Sequence, residues 1–217
     1  MPRPRQPLLN RQRIVDAATA LVDAEGLAAL STRRLATVLG VRGPSLYNHF
    51  ATKDEILDAV ADAITAEVDV SFFASHDWRD ALRLWGHSYR QALAAHANIV
   101  PYLAQGPGRR PAALAMADAV YGGLVKAGWP PARATHIGAL MRYFVTGSAL
   151  GSFARGFVED PQVYAAGYPH RDQAHRIAEH RRSVDEAAFA LGLDALIDGL
   201  AGTYERIVGP LPPLPAD

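Results

Sequence analysis

The sequence predicts an all-α protein in two parts: a small N-terminal three-helix domain holding a helix-turn-helix, and a larger C-terminal helical bundle. Three observations predict it. Apolar residues recur every three or four positions along most of the chain, the spacing that lines one face of a helix. No segment shows the alternation of apolar and polar residues that a half-buried strand needs. Between Ser31 and Phe50, two short helical patterns meet on a tight turn, Gly40-Val41-Arg42.

Residues 1–9 form a Pro/Arg-rich arm with too little apolar surface to pack, expected to be disordered, and 210–217 form an equally disordered Pro-rich tail. A first helix is expected over 11–25, with Ile14, Ala17, Ala18, Leu21 and Val22 on its apolar face and Gly26 ending it where positive φ is wanted. Ser31 or Thr32 can cap a second helix running to Leu39, with no Glu or Gln three residues on to complete a capping box. Pro44 pre-sets φ at the first position of a third helix ending near Phe50. A fourth runs from Lys53 to about Val70 on Ile56, Leu57, Val60, Ile64 and Val68. Further on, Trp78, Leu82, Trp85 and Tyr89 form one stripe, and breaks at Pro101, Gly106-Pro107-Gly108 and Gly128-Trp129-Pro130-Pro131 separate helices near 77–95, 97–104, 110–127, 131–155 and 185–208. The polar, punctuated stretch from Gly156 to Ser183 is expected to be a mobile loop with room for one short helix.

At 217 residues, 49% of them hydrophobic, the chain can bury a real core as one unit with a small appended domain. Whole-chain charge is uninformative, because 22 Lys+Arg balance 22 Asp+Glu. Its distribution is informative: residues 1–50 carry Arg3, Arg5, Arg11, Arg13, Arg33, Arg34 and Arg42 against only Asp16, Asp23 and Glu25, which makes this end the candidate phosphate-facing surface. The absence of cysteine excludes disulfides, thiolate metal sites and cysteine nucleophiles. No apolar run approaches the ~18 residues of a membrane span and the N-terminus has no signal-like apolar core, so a cytoplasmic protein with no membrane partner is expected. His170, His175 and His180 do not suggest a metal site, since steps of five turn a helix by about 140° net and scatter the rings. No metal or cofactor is expected.

A helix-turn-helix must bury one face of its second helix and offer the other to base edges. At about 100° per residue, Leu46 and Phe50 point inward, Pro44, Ser45 and Asn48 outward, and Tyr47 and His49 to the flanks that meet the groove walls. On the preceding helix Leu35 and Leu39 face inward and Arg33 and Thr37 outward, so Arg33 can reach a guanine or a phosphate. Thr32 at the helix start suits a phosphate, as does Lys53 at the start of the fourth helix, and Arg42 and Gly43 complete the set of candidate DNA-binding residues.

The run LATVLGVRGPSLYNHFATKDEIL, within a segment from about Ile14 to Leu57, resembles the DNA-binding domain of the TetR family of bacterial repressors. The resemblance implies phosphate contacts for Tyr47 and Lys53 and a phosphate or base contact for His49. It also implies DNA binding by residues 10–70 and a ligand-binding and dimerisation domain over 71–209, whose pieces HSYRQALAAH, AGWPPARA and MRYFVTGSALG resemble the tetracycline-repressor-like class. The chain departs from tetracycline repressors at two positions. Tyr102 corresponds to their metal-ligating histidine and Asp69 lies near their drug-contacting histidine, so magnesium-tetracycline is not expected as the effector.

Ile64, Val68, Trp85, Tyr89, Tyr102, Met116, Val120, Met141 and Phe144 are candidates to line an effector pocket, each also open to the plainer reading of core. Trp85, Tyr89 and Tyr102 are the best polar-tipped set to orient an aromatic or amphipathic molecule. For a homodimer interface, Phe189, Leu193, Leu196 and Leu200 share one seam of the last helix, with Leu191 and Ile197 off it. Gly147 and Gly151, four apart beside Leu140, would let a partner backbone approach. The expected function is a repressor that binds a palindromic operator as a homodimer and is released by a small apolar or aromatic effector. The rivals are an activator, and a helical-bundle enzyme for which the sequence offers no nucleophile elbow, metal-ligand series or phosphate loop.

Overall fold

The computed structural model describes residues 9–106, 109–165, 168, 170–171 and 173–209. The expectations for the basic arm and the Pro-rich tail lie outside these residues, Leu9 and Gly209 apart. Among the described residues there is no β-strand, and the helices form two compact units.

The first unit comprises Met1–Val68 and Ala92–Met116. Its α1 (Arg11–Glu25) starts where the Asn10 side chain accepts the Arg13 N–H at 2.8 Å, and stops at Gly26, which takes φ 84°. Ile14, Val15, Ala18, Leu21 and Val22 form its buried face. Ser31, not Thr32, caps α2 (Thr32–Leu39) by accepting the Arg34 N–H at 3.1 Å, a cap worth about 1 kcal/mol. Gly40 at φ 67° closes α2, and Val41 N–H reaches the Ala36 carbonyl at 3.0 Å. Pro44 opens α3 (Pro44–Tyr47), shorter than expected, although Asn48 keeps right-handed angles and Phe50 N–H still bonds Leu46 O at 3.0 Å.

Thr52 caps α4 (Lys53–Thr65) through the Glu55 N–H, and Glu55 reaches back to accept the Ala51 N–H at 2.8 Å. α4 ends about a turn before the expected Val70. The reason is local competition: Asp69 accepts the Ser71 N–H at 2.8 Å in an Asx turn, and its own N–H goes to Ser88 rather than to a helical carbonyl. A short helix unforeseen in the sequence, α5 (Phe72–Ser75), follows.

α6 (Trp78–Ala95) is capped by Asp77, which accepts the Arg79 N–H at 2.8 Å. Its last residues belong to the first unit, with the 3-10 turn Ala97–Ile99, α7 (Val100–Leu103) and the start of α8 (Pro111–Lys126). This division differs from the sequence boundary near residue 70, and side chains account for it. Asn98 donates to the Val22 and Asp23 carbonyls, both at 3.0 Å, and His96 Nδ1 pairs with Asp23 at 2.8 Å. Asp62 of α4 accepts the Ala112 N–H at 2.7 Å, capping α8.

The second unit comprises Asp69–Gln91 and Ala117–Asp217. α9 (Pro131–Ala149) stops six residues before the expected 155, because Ser152 caps a separate 3-10 turn, Phe153–Gly156, by accepting the Arg155 N–H. The stretch expected to be a loop holds two short helices, α10 (Gln162–Ala165) and α11 (His175–Glu179), with Ala174 and Ala178 buried. The final α12 (Arg181–Val208) starts four residues earlier than expected and ends at Gly209, φ 93°. Trp78, Trp129 and Tyr204 pack with ring centroids 5.1–5.5 Å apart, and the Tyr204 hydroxyl donates to Ala127 O at 2.6 Å.

Candidate functional site

In the helix-turn-helix, Leu35, Ala36, Leu39, Leu46 and Phe50 are buried, which fixes which residues remain outside. Arg33, Arg42, Pro44, Tyr47, Asn48 and Lys53 are exposed, and Thr32, Gly43, Ser45 and His49 are half-exposed. Tyr47 shows 56% of its surface to solvent, far more than a packing tyrosine would. Arg33, Arg42 and Lys53 make no side-chain hydrogen bond or ion pair among the described residues, so their charges stay available.

Arg11 and Arg34 of the basic surplus are committed elsewhere. The Arg11 guanidinium lies 3.9 Å over the Phe50 ring and donates to the His49 carbonyl, tying α1 to the end of α3. Arg34 pairs with Glu25 at 2.6 Å, tying α2 to α1. Charge counting cannot find either role, since both partners are remote in sequence. An inner face locked by apolar burial and an outer edge of uncommitted cations give this unit the form of a helix-turn-helix reading head.

The effector candidates divide between the units. Ile64 and Val68 are buried in the first, with Tyr102 and Met116 half-buried there; Trp85, Tyr89, Val120 and Met141 are buried in the second, where Phe144 is half-buried. Trp85 and Tyr89 stack at 5.8 Å, with Phe73 edge-on to Trp85 at 6.0 Å. The Trp85 indole N–H has no acceptor among the described residues. The Tyr102 hydroxyl donates to Asp58 of α4 at 3.1 Å. Burial, that hydrogen bond and the Asp58 charge hold its phenol above the ordinary tyrosine value. A cavity of about 280 Å³ in the second unit, between Phe73, His76, Trp78, Gly123 and Lys126, includes none of the nine candidates.

The interface candidates need correction. Phe189 is 4% exposed and Leu193 is fully buried within the unit. Phe189 stacks on Phe144 at 5.2 Å, and Leu193 lies so close to α6 that a Cβ at Gly86 would sit 3.2 Å from it. Both therefore hold α12 against its own protomer and have no surface left for a partner. Leu196 and Leu200 are half-buried, and the inward seam is Phe189, Leu193, Ile197 and Tyr204. Leu191, set off the seam by the sequence reading, is 74% exposed. On α9 and its C-cap Leu150, the residues Leu140, Tyr143, Gly147 and Leu150 form an exposed stripe at alternating steps of three and four, and Gly147 and Gly151 have open space where a Cβ would point.

The fold and the reading head define a helix-turn-helix transcriptional regulator. Residues 14–60 match the model of bacterial regulatory proteins of the tetR family, and 74–204 match the tetracycline repressor-like C-terminal domain. The chain belongs to the TetR family of transcriptional regulators, and the helical-bundle enzyme is set aside with that assignment. It is 31% identical to an HTH-type transcriptional regulator of Saccharopolyspora erythraea, over 91% of this chain and 87% of that protein. It is 34% identical to the class A tetracycline repressor protein from transposon 1721 of Escherichia coli, over 89% and 91% of the two chains. Among solved structures, ActR of Streptomyces coelicolor in its apo form superposes with a TM-score of 0.74 at 30% identity, covering 91% of this chain and 98% of that one. ActR has also been solved with (S)-DNPA and with actinorhodin bound. Among the described residues, no helix is long and apolar enough to cross a membrane.

Proposed function

We propose that this protein is a cytoplasmic, ligand-responsive repressor that binds a palindromic operator as a homodimer and leaves it when a small apolar or aromatic effector binds. The uncommitted outer edge of the helix-turn-helix carries this reading. Pro44, Ser45 and Asn48 are offered to base edges, Arg33 and His49 to a base or a phosphate, and Thr32, Arg42, Gly43, Tyr47 and Lys53 to the backbone on either side. Residues 10–70 form the DNA-binding part in this reading, and 71–209 the effector and dimer part. A two-fold dimer would present two such heads to successive major grooves about 34 Å apart, which requires a symmetric interface. The exposed stripe Leu140, Tyr143, Gly147 and Leu150 of α9 and its C-cap, with Ala188, Leu191 and Ala195 on α12, supplies an apolar, small-residue surface suited to a four-helix contact.

Binding to DNA upstream of the protein's own gene, followed by fluorescence anisotropy with scrambled duplex as competitor and a salt series, tests the reading. Sequence-specific binding whose affinity falls steeply with salt is expected. Equal affinity for the scrambled duplex, together with failure of a genomic-fragment selection to enrich any site, would overturn it.

A further inference from the structure

Arg110 is 6% exposed, and a buried guanidinium is ordinarily matched by a carboxylate across two parallel hydrogen bonds. Here the match is incomplete. One terminal nitrogen donates to the Gly106 carbonyl, and the other stands 3.5 Å from Asp58, too long for a strong bond. Nε is buried with no acceptor among the described residues. Asp58 is itself half-exposed and already accepts the Tyr102 hydroxyl, whose ring centroid lies 5.9 Å from the Arg110 guanidinium carbon. A buried cation with an open donor, near a phenol whose O–H is held by the neighbouring carboxylate, has one donor left for an anionic acceptor.

We infer that the effector carries a carboxylate, which Arg110 receives at Nε with the Tyr102 hydroxyl donating to the same group, in competition with Asp58. This deepens the effector reading above and rests on it. The competition also gives a route to DNA. Asp58 belongs to α4, the helix that follows the reading head, and a ligand carboxylate that draws Tyr102 and Arg110 away leaves α4 held only by its other ties, such as Asp62 to Ala112. An effector can shift the protein only by binding one arrangement more tightly, and here the difference is the Asp58 pairing lost or kept.

The probes are 2-naphthoate and its neutral counterpart 2-naphthalenemethanol, titrated into the full-length protein by calorimetry and tested for release of labelled operator DNA. The carboxylate is expected to bind about tenfold more tightly than the alcohol. That preference should fall to about twofold or less in Arg110→Gln and shrink in Tyr102→Phe, whereas Asp58→Asn, at a half-exposed position, should tighten carboxylate binding by removing the competitor. Equal binding of the two probes, binding of neither, or a preference that survives both Arg110→Gln and Tyr102→Phe would overturn the inference. Operator release by the alcohol as readily as by the carboxylate would keep the effector reading and end this one. Carboxylate binding lost in Arg110→Gln, but with no effect on operator, would keep the anion site and end the effector reading.

Discussion

The reading head and the last helix are both amphipathic, yet only the first could be oriented from sequence. In the helix-turn-helix, caps, the glycine turn and Pro44 lie within a few residues of the elements they control, so burial of Leu46 and Phe50 and exposure of Tyr47 follow from local spacing. In α12, the seam suggested by spacing, Phe189, Leu193, Leu196 and Leu200, is only partly the one that packs, because leucines and alanines occur on several sides. Phe144 and Gly86, far away in sequence, choose among them by what they leave room for. A helix with one apolar stripe declares its inner face, whereas one with several waits for its neighbours.

The largest expected effect tests that contrast directly. Leu193→Ala empties a fully buried site and is expected to lower the stability of the chain by about 2–5 kcal/mol in urea denaturation, with the proposed dimer intact where the chain folds. Leu191→Arg should do the reverse, since it changes an exposed position: light scattering should report monomers while the denaturation midpoint of the protomer is unchanged. Dissociation by the first without loss of stability, or an intact dimer in the second, would return the seam to its sequence-based placement. Gly192→Ala belongs to the same comparison: its Cβ would fall 2.8 Å from the Phe144 ring, an overlap expected to cost about 1–3 kcal/mol.

Smaller effects separate the uncommitted from the committed arginines of the head. Arg33→Ala should weaken operator binding by about 1–3 kcal/mol with thermal stability unchanged. Arg34→Ala should leave thermal stability almost unchanged, because its pair with Glu25 is exposed to solvent, and should leave the salt dependence of DNA binding as it was. Similar operator losses from both would mean that the Glu25 pair does not withhold Arg34 from DNA. The smallest effect concerns Tyr102. Its phenol is raised in the folded protein, so the folded state holds the proton more tightly than the unfolded chain, whose tyrosines ionise near about 10. The resulting stabilisation is fully present below that pH and is lost as pH rises through the folded value, so the stability gap between wild type and Tyr102→Phe should narrow in strongly alkaline buffer.

Much of the candidate site was legible. The outward set from Arg33 to Lys53 emerged as exposed or half-exposed, because helical geometry fixes direction once two buried anchors are known. Arg11 could not be identified, since its partner Phe50 is 39 positions away and nothing in a charge count marks a cation for an aromatic face. Nor could Tyr102, assigned with Trp85 and Tyr89 on the strength of its ring, be known to spend its hydroxyl on Asp58.

By itself the sequence determined where the helices of the head begin, the all-α class and the outward face of the reading helix. Each depends on hydrogen bonds or side-chain directions set within about four residues. Tertiary structure alone decided which seam of α12 is buried, which arginines are already bound, and that Arg110 is buried with a donor unfilled. Those outcomes depend on contacts between residues distant in the chain, which compete for the same surface and are settled only when the elements pack.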